Sequence, residues 1–339
     1  MMTPPSATHF PQISLLPVED AHHGWSALLL EMPGAFDVNA LARLFGEFGL
    51  YGALDNLPCI VFLPDPAGLS REIIELLPSD RVVLRIPAGI CADPARQDDL
   101  ARLRGAGFKF MTGELPAAGS RSSRPVKAES SDSPHHQALL LRLLALVAAD
   151  ADSHQMETIF KQDAHLSYQL LKLVNSVAFS LSTKITSFNQ AITLLGRRQL
   201  QRWLQLLLYA HAPGAAANPL MPRAALRAEL MESLCAGTGG SKESQDRAYM
   251  VGMFSLLDLL FGMTIAEIVA PLNLADDVAL ALTEHSGALG ALLHAVEAGE
   301  EDSGSRLSTA LAAAGIDTVA WAGALVQAYY WAIPISREA

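Results

Sequence analysis

The sequence predicts two architectures in one chain, an α/β half followed by an all-α half. Three observations carry this. Between residues 13 and 113, short continuous apolar runs alternate with segments of helical periodicity, the pattern of βαβ units around a mostly parallel sheet. Residues 114–134 (ELPAAGSRSSRPVKAESSDSP) are rich in Ser, Pro and Ala and carry no large apolar residue except Leu115 and Val126, so they bury too little surface to offset ordering entropy and read as a linker. From residue 135 to about 335, every segment shows helical spacing.

In the first half, residues 1–12 are expected to be disordered. WSALLL (25–30) is a strand candidate, and 39–48 is helical. CIVFL (59–63) is a buried strand stopped by Pro64 and Pro66, and 70–77 is a short helix. RVVLRI (81–86) is a strand, 94–105 a helix and FKFM (108–111) a last strand. Four strands are too few to close an eight-stranded barrel.

The helical half is organised around residues 164–210. Leu166, Leu170, Leu173, Val174 and Val177 recur at three- and four-residue spacing, as on a core-facing helix. Ser187 followed by Gln190 has the form of a capping box, which starts a helix at about Phe188. Gly196 ends that helix and Arg197 opens the next. Helices are further expected over 137–149, from a cap at Asp152 to 161, and over 224–236 and 244–261. Shorter ones follow at 264–269, 276–282, 287–297 and 305–314, then a final one over 317–331.

Composition bounds the function. Half of the 339 residues are apolar, ample for a core. Three scattered cysteines (Cys59, Cys91, Cys235) without a CxxC pair argue for a reducing compartment and against a zinc ribbon. MMTPPSATHFPQ has neither a basic nor an apolar region of the signal-peptide kind. The most apolar runs, 138–149 and 250–261, fall short of the ~18–20 residues that a span requires. A cytoplasmic protein without a membrane partner is expected. The net charge of −11 opposes general nucleic-acid binding. Charge is uneven: 161–202 holds six Lys or Arg and one acid, and 267–302 holds eight acids and no Lys or Arg.

LLKLVNSVAFSLSTKITSFNQAITLLGRRQLQRWLQLL, followed by MVGMFSLLDLL, IAEIVAPLNL and GALGALL, resembles the HDOD domain, a helical signalling module related to HD-type phosphohydrolases. HDOD domains are often fused behind an EAL-type domain, as in the YuxH-like group. The first half resembles a truncated, degenerate EAL domain, which implies a TIM-barrel-like fold. The resemblance also implies which metal ligands are lost. The Glu of the EAL signature falls on Ala27, the Asn of the next strand on Phe62, the following Glu on Arg85, and the paired Asp near Gly113. The HD dipeptide falls on Ser255 and Leu256, and none of the ten histidines is followed by Asp. A divalent cation needs anionic oxygens, which these residues do not supply. The expectation is therefore a protein without catalytic residues, metal or cofactor, not an enzyme, acting in bacterial signal transduction through protein–protein recognition. Its partner would be an unidentified signalling protein, or a second copy in a homo-oligomer. The alternative is a receptor that binds cyclic di-GMP or another nucleotide without hydrolysing it; an active phosphohydrolase is the weakest reading.

Among other motifs, GTGGSK (237–242) fails the phosphate-loop spacing and reads as a turn between helices. The pairs at 22–23 and 135–136 read as solvated histidines, and Glu284-His285 as either an acid/base pair or an exposed loop at a helix start. Asn175 and Ser176 read as a structural helix–loop junction, with Gly196 as a second punctuation point. Arg197, Arg198 and Arg202 are the best partner-binding candidates: 198 and 202 share a helix face, and arginine suits carboxylate or phosphate.

Overall fold

The computed structural model describes residues 10–20, 24–34, 36–113, 134–149, 151–162, 188–209, 218–272, 274–301 and 304–338, together with Leu166, Leu170 and Val174. Asn175, Ser176, Ser187 and most of the predicted linker lie outside the described residues.

The first half is a mixed five-stranded sheet in the order β1-β2-β3-β4-β5. β1 (Ser14–Glu19) runs antiparallel to β2 (Trp25–Glu31). β3 (Cys59–Phe62), β4 (Val82–Arg85) and β5 (Lys109–Met111) follow in parallel. β1 was not expected; Pro17 hides it, and an edge strand tolerates the missing N–H. The four predicted strands are present, each within a residue or two of its expected bounds.

Helices α1 (Val38–Gly46), α2 (Leu50–Leu54), α3 (Arg71–Leu76), α4 (Ala88–Ala92) and α5 (Gln97–Gly105) connect the strands. The Asp37 carboxylate starts α1 by accepting from the Asn39 and Ala40 N–H groups, and Leu41, Leu44 and Phe45 of that helix are buried. Side chains alternate across β2: Leu28 and Leu30 enter the main core, whereas Ala27 and Leu29 meet Ile60 on the opposite face.

The second half is helical. In order, α6 is Pro134–Ala148, α7 Ser153–Phe160, α8 Phe188–Leu195, α9 Arg197–Leu207 and α10 Leu220–Gly237. Then come α11 Lys242–Phe254, α12 Leu257–Phe261, α13 Ile265–Val269, α14 Asp276–Glu284, α15 Gly287–Glu301, α16 Ser305–Ala313 and α17 Thr318–Glu338. Asp152 caps α7 through the His154 N–H, and Gly196, at φ +75°, separates α8 from α9 as its sequence position predicts. The single helix expected over 244–261 is instead two, broken at Ser255-Leu256. Gly252 of α11 lets that helix close onto α10: a Cβ there would lie 2.5 Å from the Cα of Ala228.

The two halves share one core, in which Leu28, Leu44 and Leu84 belong to the same apolar cluster as Leu230, Leu257 and Trp321. The contact is also polar. Main-chain carbonyls at the start of the sheet accept from α17: Phe10 from Thr318 Oγ1 (2.7 Å), Ile13 from Trp321 Nε1 (2.9 Å) and Leu15 from the Tyr329 hydroxyl. The Trp25 and Tyr329 rings pack with centroids 5.7 Å apart. Among the described residues no single helix is long and apolar enough to cross a membrane.

Candidate functional site

In an open α/β sheet, ligands gather at the carboxyl ends of the strands. Here that edge carries Glu31 closing β2, Phe62 closing β3 and Arg85 closing β4. Phe62 and Arg85 are register partners on adjacent strands, so their side chains leave the same face, and the guanidinium carbon of Arg85 lies 4.9 Å from the Phe62 ring centroid. Phe62 remains 40 % exposed, unusual for a large apolar strand residue. Together with Met32, Phe36 and Pro64 these residues line a cleft of about 490 Å³. Arg85 Nε is buried and meets no hydrogen-bond partner among the described residues.

Ala27 is not at this edge. It pairs with Val18 in the body of the sheet and is buried against the small apolar face, while Gly113 lies exposed beyond β5 at φ +113°. Glu31 is the single acid lining the cleft, alongside the Arg85 cation. This donor set does not fit a divalent ion, which takes several oxygens. Among the described residues, no group of three or more His, Cys, Asp or Glu is placed to hold a metal.

Ser255 and Leu256 occupy the break between α11 and α12. Leu256 is core, 3 % exposed. Ser255 Oγ donates to the Gly252 carbonyl (2.8 Å) and accepts from Arg227 Nη1 (3.0 Å). Arg227, buried on α10, was not singled out from sequence. It also forks onto Glu300, with both N···O distances 2.7 Å, and reaches Glu297 at 3.3 Å. The signal was present: an arginine between Ala224, Ala228 and Met231 sits on the apolar stripe of its helix. Burial works against charge on Glu300, but the Arg227 guanidinium outweighs it and holds the carboxyl below its ordinary range. His285, at φ +52° after α14, bonds Glu297 through Nε2 at 2.9 Å.

Arg198 and Arg202 do share one face of α9, directed at α10 and α11. Arg198 donates to Asp246 (2.5 Å) and Glu232 (2.9 Å). Arg202 bonds Glu232 and lies over the Tyr249 ring at 4.2 Å. Lys242 brings a third cation to Glu232 at 3.0 Å. Arg198 keeps 38 % of its side chain exposed and Arg202 20 %. Arg197 opens the helix, and its charge helps to lower the Asp152 carboxyl, although the His154 N–H does most of that. Beside this group, burial pushes the Glu229 carboxyl up to about 7, with Glu232 adding to the rise and Arg202 and Lys242 opposing it.

These features define a helical module joined to a small α/β sheet, and residues 134–261 match the HDOD domain. The chain carries an HDOD domain and is homologous to two curated proteins. Cyclic di-GMP phosphodiesterase CdgJ of Vibrio cholerae serotype O1 is 30% identical over 242 residues, 71% of this chain and 54% of that protein. Uncharacterized protein YuxH of Bacillus subtilis is 39% identical over 129 residues, 37% of this chain and 31% of that protein. The chain thus spans about half the length of the first relative and less of the second. No solved structure matches it. The expectation that the chain is not an enzyme is corrected by CdgJ, which is named a phosphodiesterase and whose similarity extends over most of this chain.

Proposed function

We propose that this chain works in cyclic di-GMP signalling and that its HDOD domain recognises a partner protein. The observation that carries this reading is the shared core. β1 is hydrogen-bonded to α17, and β2 packs on it through Trp25 and Tyr329, so a change at the sheet is felt by the helices without crossing a hinge. The sheet then serves as the sensing half, as a truncated EAL-like domain would, and the helical half as the output. The partner-facing arginine of the three is Arg198, the most exposed of those bound to Glu232 and Asp246, where an acidic group on a partner competes with Asp246.

A second reading places cyclic di-GMP itself in the sheet-end cleft. Arg85 Nε brings an unsatisfied donor suited to phosphate or a guanine edge, and exposed Phe62 offers a ring for a base. Calorimetry of the full chain with cyclic di-GMP, with the ligand recovered and chromatographed, tests both the binding and its fate. Saturable heat that weakens at least tenfold in Arg85→Met is expected. No heat at high micromolar ligand, with folded protein confirmed, removes the cleft reading. The partner reading is tested by affinity capture with wild type against Arg198→Gln. A partner held equally by both removes Arg198 from the interface.

A further inference from the structure

We propose that Ser255, Glu297 and Glu300 form a cation-binding site for a guanidinium group, and that the chain fills it with its own Arg227. Three elements build the site: Ser255 ends α11, the two carboxylates project from α15, and the occupant comes from α10. Arg227 Nε and Nη2 meet the two oxygens of Glu300 side by side, and Nη1 divides its contacts between Ser255 Oγ and Glu297 Oε1. Four of the five guanidinium N–H groups are thus directed at oxygens. Ser255 is committed as an acceptor, because its own proton goes to the Gly252 carbonyl.

The oxygens are distributed around the rim of a plane rather than converging on a point. A divalent metal would require several of them within ~2.0–2.6 Å of one centre. The shape therefore selects a flat, delocalised cation over a metal ion or an ammonium. Arg223 joins from the side at 3.3 Å from Glu300, and two arginines balance the two carboxylates. The surface end of the site is His285 on Glu297. The resemblance that puts an HD metal dipeptide on Ser255 and Leu256 gains a physical meaning: an arginine supplies the positive charge at this place in the bundle.

The test is chemical rescue in the full chain. Arg227→Ala leaves the carboxylates facing a vacancy and is expected to melt several degrees below wild type. Guanidinium chloride at low millimolar concentration, far below its denaturing range, is expected to restore part of that loss saturably in the variant and none in wild type. Equal concentrations of sodium, magnesium or manganese chloride are expected to do nothing comparable. Absence of rescue, or rescue by a metal and not by guanidinium, overturns the proposal. If Arg227→Ala does not fold, Arg227→Lys decides. This variant keeps the charge but loses the fork, so a lowered melting temperature or failure to fold supports the proposal, and a wild-type melting temperature overturns it.

Discussion

The indole N–H of Trp321 donates to the main-chain carbonyl of Ile13 at 2.9 Å, across 308 residues of chain. Both groups are buried, so neither has water as a substitute partner. Trp321→Phe removes the donor but keeps an aromatic ring, leaving the Ile13 carbonyl unsatisfied at a cost of ~1–3 kcal/mol. Urea titration followed by far-UV circular dichroism measures this. Because the two halves share a core, wild type is expected to unfold in one transition; two resolved transitions would contradict that coupling.

Gly252→Ala tests the closest helix contact. The new methyl would lie 2.5 Å from the Ala228 Cα, which is backbone and cannot swing aside. Overpacking of this kind costs ~1–3 kcal/mol. A melting temperature unchanged from wild type would show that α10 and α11 separate more easily than their packing implies.

Glu232 gathers Arg198, Arg202 and Lys242 around one largely buried carboxylate. Removing it takes a shared carboxylate from three cations, of which Arg198 and Arg202 keep Asp246 and Lys242 keeps Gln245, so Glu232→Ala is expected to cost ~1–3 kcal/mol. Arg198→Gln removes one partly exposed partner and is expected to cost no more than ~1 kcal/mol. Equal losses in denaturant titrations of the two variants would refute this ordering. The contrast also makes Arg198→Gln the sounder probe of partner binding, since glutamate at 198 would repel Glu232 and Asp246.

Stability near neutral pH should depend on Glu229. Its folded carboxyl titrates at about 7 rather than the ordinary 4.5, first because of burial. Between those values the folded state holds a proton that the unfolded state releases. The associated stability is full below pH 4.5 and is lost as pH rises through 7. Glu229→Gln removes the ionisation, so its melting temperature should gain on wild type between pH 5.5 and pH 7.5. A constant difference across that range counts against the assignment.

Much of this fold was legible from local pattern. Residues 59–62 and 82–85 are strands because apolar residues fill both faces, and Gly196 separates two helices because its φ of +75° suits no other residue as well. β1 escaped because Pro17 interrupts a short run. The break at Ser255 escaped because apolar residues continue on both sides of it. The site was less visible, since its meaning lies in long-range pairing. Arg198 reads as a surface cation until Glu232 and Asp246, 34 and 48 residues later, are placed against it. Phe62 and Arg85 read as missing ligands until strand register makes them neighbours. Arg227 reads as one polar position in an alanine-rich helix until two other elements supply its acceptors.

The clasp between β1 and α17 has a consequence for how the chain is made. At ~5–20 residues per second, a ribosome takes roughly 15–60 s to travel from Ile13 to Trp321, which are 308 positions apart. During that interval the carbonyls of Phe10, Ile13 and Leu15 await donors that have not been synthesised. The sheet therefore emerges before the helix that seals its flank. Sealing of the sheet waits for α17, and a nascent chain stalled before Thr318 would present that flank to chaperones and proteases.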